Sequence, residues 1–161
     1  MPHPAPENSA DPVVDAVLGA SRALVAVAAR SIAAVEPGVT LPQYRTLVVL
    51  ASRGPQNAGT LADELGVHPS TVSRMCDRLV GRGLIVRAIA PASRREVSIA
   101  LTPAGRALLD RVTTVRRAAL AEIVGRVPLE LRPGMVTALR AFSAAAGEVP
   151  DQAWAVGWDA P

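Results

Sequence analysis

The first half of the chain shows helical periodicity in its apolar positions. Between residues 12 and 35 apolar side chains recur at three- and four-residue steps, which predicts one long amphipathic helix. A Pro-Gly pair ends this stretch, and Thr40 is a suitable N-cap for a second amphipathic helix that stops at the Gly-Pro pair of residues 54–55. The proline-rich residues 1–11 lack this period and are expected to form a disordered arm.

Two shorter helices separated by a tight turn are predicted next. Thr60 and Asp63 frame the first of them, which stops at Gly66. Pro69 suits the first turn of the other helix, because an amide hydrogen would have no intrahelical partner there. This fourth helix is expected to run to about Arg82.

The period changes to two after the fourth helix. Residues 84–88 and 96–101 predict two short strands, and residues 91–95 predict a turn between them, so that a small β-hairpin forms with arginines at its tip. Thr102 then caps a fifth, long helix that Pro128 ends. A sixth helix and a tail with two tryptophans complete the chain. The predicted fold class is mainly α with a small β-hairpin (α+β).

Residues 61–80 combine three features of a helix-turn-helix. Ala62 is small where two helices cross, Gly66 suits a turn with a positive φ, and Val72 anchors the second helix. Four further apolar residues are expected on the buried side: Leu65, Val67, Met75 and Leu79. The exposed residues would be Ser70, Thr71, Ser73, Arg74, Asp77 and Arg78. Hydroxyls and guanidinium groups of this kind can reach base edges and phosphates in a DNA major groove, and the hairpin that follows makes the unit a winged helix.

Positive charge is concentrated in the same part of the chain. The net charge is +3, from 17 basic residues that are all arginine and 14 acidic residues. Residues 69–101 alone hold six arginines against two acids. A GC-rich genome would explain the preference for arginine but not its position. A local positive field on a nearly neutral body predicts a surface that binds a polyanion.

Composition excludes most enzyme classes. The single cysteine, Cys76, rules out intrachain disulfides and multi-cysteine metal sites, and His3 and His68 leave little material for a metal centre or a histidine-based triad. No nucleophile–base pair or phosphate-binding loop can be assembled from the sequence. We therefore expect a protein that is not an enzyme and uses no metal and no cofactor. Cys76 is expected to be a half-buried structural thiol rather than a redox sensor.

The sequence favours a cytoplasmic protein without a membrane partner. The N-terminus lacks the basic start and apolar run of a signal peptide. Asp15, Arg22 and Arg30 interrupt the apolar stretch of residues 13–35. Its uncharged runs are therefore far shorter than the roughly 20 residues that a membrane span requires.

The chain resembles the MarR family of bacterial transcriptional regulators over roughly residues 12–147. The most specific stretches are residues 41–54, residues 61–87 (LADELGVHPSTVSRMCDRLVGRGLIVR) and residues 98–105, where the hairpin leads into the fifth helix. The resemblance implies a homodimer whose N- and C-terminal helices form the interface, with one winged helix on each lobe. It also implies a palindromic double-stranded DNA operator, usually bound as a repressor and often released by a small aromatic or phenolic ligand.

The resemblance further implies roles for individual residues. The recognition-helix contacts of the family fall on Ser70, Thr71, Ser73, Arg74 and Arg78. The wing arginine that the family inserts into the minor groove falls on Arg95, with Arg94 beside it. The family usually has an aspartate two residues earlier, where this chain has Ser93, and a serine cannot hold a guanidinium by charge. Which arginine enters the groove therefore stays open.

The long apolar helices at the two ends of the chain need a partner surface. A winged helix alone cannot bury both of them, whereas pairing across a two-fold axis can. We accordingly divide the chain into a disordered arm, an N-terminal dimerisation helix, a winged helix-turn-helix DNA-binding domain, C-terminal dimerisation helices and a tail. Their bounds are residues 1–11, 12–36, 40–101, 102–147 and 148–161.

A rival interpretation is a dimeric winged-helix adaptor for protein–protein contact without operator specificity. The basic cluster at the hairpin argues against it, since a protein-binding face does not require so much positive charge. The sparse aromatic content predicts no visible ligand pocket, so a small ligand follows from the resemblance alone.

Overall fold

The computed structural model describes residues 11–89 and 97–149. The helices are α1 Pro12–Val35, α2 Leu41–Arg53, α3 Ala58–Leu65, α4 Pro69–Gly81, α5 Pro103–Gly125 and α6 Arg132–Ala145. The strands are β1 Ile85–Ile89 and β2 Val97–Leu101, and a 3-10 turn, Leu129–Leu131, leads into α6. The mainly α fold with a small hairpin is thus confirmed, with most element bounds within a few residues of those predicted.

Most helix starts are fixed by a side-chain cap followed by a proline. In α2 the Thr40 hydroxyl accepts from the amide of Gln43 at 3.4 Å, and the Gln43 side chain accepts from the Thr40 amide at 2.9 Å, which is a complete capping box. The start of α3 differs from the prediction. Asn57 Oδ1 accepts from the amide of Thr60 at 2.8 Å, so Asn57 is the cap and Thr60 already lies in the helix.

The hairpin is antiparallel, and one further residue, Gln56, pairs with it. The sequence pattern did not predict this contact. Ile85 lies opposite Leu101 and Ile89 opposite Val97. Gln56, just after α2, exchanges both backbone hydrogen bonds with Ile99, at 3.0 and 2.7 Å. Hydrophobic periodicity cannot reveal a bridge that a single residue makes, so the sequence does not predict this contact.

The core is centred on α2, whose residues from Gln43 to Ala51 are buried except for Arg45. The C-terminal half of α1, the first half of α5, α3, α4 and the hairpin pack around it. The expected burial of Met75 and Leu79 is confirmed, while Leu65 is only partly buried. The expected burial of Val67 is wrong, because this residue is 38% exposed just after the left-handed turn at Gly66.

One joint connects α4, the hairpin and α5. The Thr102 amide donates to the Leu84 carbonyl at 3.1 Å, and the Thr102 hydroxyl donates to the Gly83 carbonyl at 2.6 Å and accepts from the Gly105 amide at 3.1 Å. Gly105 is buried directly against this joint. A methyl group at Gly105 would overlap the Leu84 carbonyl oxygen and lie 2.7 Å from Cδ1 of Leu101.

Helices α1 and α6 leave large apolar side chains exposed. Only Val27, Ser31 and Ile32 of α1 are buried, and no residue of α6 is. The exposed apolar residues of these two helices and of the turn before α6 are Val13, Val14, Leu18, Leu24, Val25, Leu129, Leu131, Val136, Leu139 and Phe142. Among the described residues, α1 is also the helix whose length and composition would suit a membrane span. Exposed apolar surface of this extent marks a contact surface.

Candidate nucleic-acid interface

Helix α4 has one buried and one exposed face. Val72, Met75, Cys76 and Leu79 are buried, at the three- and four-residue spacing of a helix that packs on one side. The predicted contact residues Ser70, Thr71, Ser73, Arg74 and Arg78 are all exposed. The structure therefore places all five on the surface of a single helix.

The turn before α4 is built as the sequence predicted. Gly66 adopts the left-handed conformation with φ 63°, and Ala62 and Val72 are buried where α3 crosses α4. His68 caps α4, since its Nδ1 accepts from the Ser70 amide at 3.3 Å. The Ser70 hydroxyl lies 2.9 Å from the same nitrogen, so the side chains of His68 and Ser70 are joined at the start of α4.

Three residues form a stripe along the exposed face of α4. Ser70, Arg74 and Arg78 follow one another at four-residue steps, and neither arginine forms an ion pair with any described residue. Thr71, Arg74 and Arg78 also line a depression of about 250 Å³ that Thr40 and Gln43 close from the start of α2. Two guanidinium groups and the Thr71 hydroxyl beside one depression suit the phosphate backbone of a nucleic acid.

The only acid on α4 is neutralised by the hairpin. Arg87 of β1 places Nη1 2.6 Å from Asp77 Oδ1 and donates from Nη2 to the Ser73 carbonyl at 3.3 Å. Spacing along the sequence does not predict this link, because strand and helix positions share no common period. The pair removes a negative charge from the surface and ties the hairpin to α4.

Cys76 is more deeply buried than expected. Its side chain belongs to the core, and burial raises the pKa of the thiol above its ordinary value, an effect that the nearby Arg87 only partly opposes. The thiol is therefore protonated at neutral pH and has no access to solvent. This environment is that of a structural cysteine, as the sequence predicted.

The hairpin tip lies outside the described residues. Arg94, Arg95 and Ser93 fall between the end of β1 and the start of β2. Their proposed roles remain predictions.

A cleft of about 630 Å³ lies among α1, α2 and α5, although no pocket was predicted from the sequence. Its lining residues are Ala28, Leu41, Tyr44, Arg45, Val48, Thr113, Arg116, Arg117, Leu120, Ala121, Val124 and Glu148. The expectation was wrong because a cleft does not require many aromatic side chains: six of the twelve lining residues are aliphatic, and Tyr44 alone among them is aromatic. Sequence periodicity identifies buried faces but cannot show a gap between them.

Comparison with known proteins decides the family. A sequence profile described as MarR family matches residues 39–97, from the cap of α2 to the start of β2. The chain is 31% identical over 113 residues to the HTH-type transcriptional repressor MdtR of Bacillus subtilis, a match that spans 69% of this chain and 73% of that protein. The chain belongs to the MarR family. It is a DNA-binding transcriptional regulator and not an enzyme, as predicted.

Solved structures extend the agreement to nearly the whole fold. The crystal structure of RV1404 from Mycobacterium tuberculosis superposes with a TM-score of 0.83 at 50% identity, covering 90% of this chain and 99% of that one. The structure of Bordetella bronchiseptica BpsR, described as regulated in its DNA binding by 6-hydroxynicotinic acid, has a TM-score of 0.61 at 26% identity and covers 83% and 99% of the two chains. The winged helix-turn-helix architecture of this MarR family regulator is therefore shown.

Proposed function

We propose that this regulator binds a palindromic operator as a homodimer and represses transcription. The observation that carries the proposal is the exposed stripe of Ser70, Arg74 and Arg78 on α4, next to an acid that Arg87 neutralises. A helix of this kind enters the major groove with its side chains against base edges. The related MdtR is named a repressor, which supports the direction of control.

The proposed DNA contacts divide by chemistry. Arg74 and Arg78 are the candidates for guanine edges or phosphates, and the hydroxyls of Ser70, Thr71 and Ser73 suit phosphate oxygens and base edges. Arg94 and Arg95 of the hairpin are proposed to reach the adjacent minor groove.

The homodimer is supported by the exposed apolar surface of α1 and α6. Residues 12–36 and 102–147 are proposed as the dimerisation helices, and residues 40–101 as the DNA-binding domain. Two copies related by a two-fold axis would cover these apolar side chains and set two α4 helices on successive turns of the duplex. A transcriptional regulator acts on DNA, and we propose a cytoplasmic location for this one.

The cleft is the proposed site of a small ligand that releases the DNA. Its walls combine aliphatic side chains with the Tyr44 ring and three arginines, which suits a flat aromatic molecule that carries a negative group. Arg116 lies over the Tyr44 ring, with its guanidinium carbon 4.9 Å from the ring centre. The regulation of BpsR by 6-hydroxynicotinic acid supports a ligand of this size and chemistry.

The DNA-reading role of α4 is tested with Arg78→Ala. We expect operator affinity to fall by about 5- to 150-fold, since a base contact is worth about 1–3 kcal/mol, and discrimination against scrambled DNA to fall with it. Fluorescence anisotropy with the upstream DNA of the gene and a scrambled duplex, at two salt concentrations, measures both. Arg126→Ala, which removes an equal charge at the end of α5, is the control. Equal and weak binding of the wild-type protein to both duplexes would instead favour the adaptor function.

The role of the hairpin tip is tested with Arg95→Ala and, separately, Arg94→Ala. The variant that loses the groove-binding arginine should bind operator more weakly, and its slope of log affinity against log salt should become shallower by about 1, since one fewer phosphate is neutralised. The same anisotropy titrations, repeated over a series of salt concentrations, give the slopes. Unchanged slopes in both variants would contradict the assignment of the tip to DNA.

A further inference from the structure

Glu148 binds an arginine at the rim of the cleft. The two Arg45 nitrogens Nη1 and Nη2 donate to the two carboxylate oxygens of Glu148 at 3.1 and 2.6 Å. This bidentate arrangement is the strongest geometry for an arginine–carboxylate pair. It ties Glu148, which lies just after the end of α6, to Arg45 in the first half of α2. The two residues are 103 positions apart in the sequence.

Arg116 lacks a comparable partner inside the same cleft. Its Nε and Nη2 atoms are buried, and neither has a hydrogen-bond partner among the described residues. Buried donors that remain unsatisfied are costly, so an incoming group with two acceptor oxygens gains by binding them. Glu148 is the only acid among the lining residues, against three arginines.

We propose that Glu148 is a built-in competitor for the ligand proposed above for this cleft, a flat aromatic molecule whose negative group is taken here as a carboxylate. The ligand carboxylate takes the donors of Arg116 and Arg45, and Glu148 must leave Arg45 when it does. Ligand entry thereby releases the end of α6 from α2. This inference rests on the proposed ligand function of the cleft.

The competition is expected to be weak enough for a ligand to win. Both partners of the Arg45–Glu148 pair are close to half exposed, at 46% and 43%, so water screens the attraction even though the geometry is bidentate. Removing the Glu148 charge should therefore raise the affinity for an aromatic carboxylate by about two- to fivefold. A neutral ligand of the same shape competes for no arginine and should show no change.

The test uses the full chain, with benzoate and its neutral analogue benzamide as probes in isothermal titration calorimetry. Glu148→Gln keeps the size of the side chain and removes its charge. Glu130→Gln removes an equal charge from an exposed residue outside the cleft and is the matched control. Arg116→Met reports whether the carboxylate uses the cleft, and thermal unfolding of each variant shows that it is folded.

The expected result is that Glu148→Gln binds benzoate more tightly than the wild type and Glu130→Gln do, with benzamide unaffected and benzoate binding lost in Arg116→Met. Equal benzoate affinity in Glu148→Gln and the wild type, with Arg116→Met still defective, would overturn the competition and leave the ligand cleft standing. Tighter binding of benzamide as well would also overturn it, since the effect would then be steric. Absence of benzoate binding in both the wild type and Glu148→Gln would overturn the ligand cleft together with the competition.

Discussion

Gly105→Ala should destabilise the protein by about 3 kcal/mol, among the largest effects of any single methyl group in this fold. The added carbon would overlap the Leu84 carbonyl oxygen, which is backbone and cannot swing aside as a side chain would. Leu84 is also fixed by its hydrogen bond from the Thr102 amide. Relief of the overlap would require α5 to move away from the hairpin, at the expense of the core around Leu108 and Leu109.

Chemical denaturation of Gly105→Ala beside the wild type measures this loss. Gly125→Ala is the matched control, because Gly125 also lies in α5 and a methyl group there would meet no atom within 4 Å. We expect Gly125→Ala to be neutral or to stabilise by up to about 1 kcal/mol, since alanine is the better helix former. Equal stability of Gly105→Ala and the wild type would contradict the close packing of this joint.

Phe142→Asp should separate the proposed dimer. Phe142 is 54% exposed on α6, so the fold of a single chain does not depend on it. Full burial of a phenylalanine contributes about 1.5–3 kcal/mol. About half of that remains to be gained at the interface, because the side chain is already partly covered within the single chain. Two-fold symmetry counts the contribution twice, so its loss raises the dimer dissociation constant by about 15- to 250-fold. Sedimentation velocity over a range of concentrations measures the change, and operator affinity should fall with it.

Phe142→Leu is the control for this experiment, because it retains an apolar side chain of similar reach without a charge. It should stay dimeric and bind operator nearly as the wild type does. A dimer of undiminished strength in Phe142→Asp would place the interface elsewhere and leave the apolar surface of α6 for another partner.

Local chemistry made the winged helix-turn-helix predictable from the sequence. Few residue types suit the left-handed turn at Gly66, the first turn of a helix at Pro69 or the helix cap at Thr102. Each of these residues lies where the pattern required it. The buried face of α4 followed from its period in the same way. The exact cap of α3 did not, because Asn57 and Thr60 are both acceptable N-caps and only packing decides between them.

Contacts between distant elements were the part that the sequence did not reveal. The Arg87–Asp77 pair joins a strand to a helix, and the Arg45–Glu148 pair joins α2 to the segment after α6, so neither follows from spacing along one element. The cleft was missed for a related reason. Its walls belong mainly to three helices. The apolar period of each helix predicts which face is turned inward, but it does not show whether the space between those faces is filled.

The first turn of α2 and its cap contribute residues to two separate surfaces. Tyr44 and Arg45 line the cleft, while Thr40 and Gln43, one turn or less away, close the depression beside α4. A rigid helix cannot shift at one of these surfaces without shifting at the other. Thermodynamic linkage then applies to the proposed ligand and operator. If the bound ligand lowers the affinity for DNA by a given factor, bound DNA lowers the affinity for the ligand by the same factor. The ligand concentration needed for half-maximal release would therefore rise with the concentration of free operator.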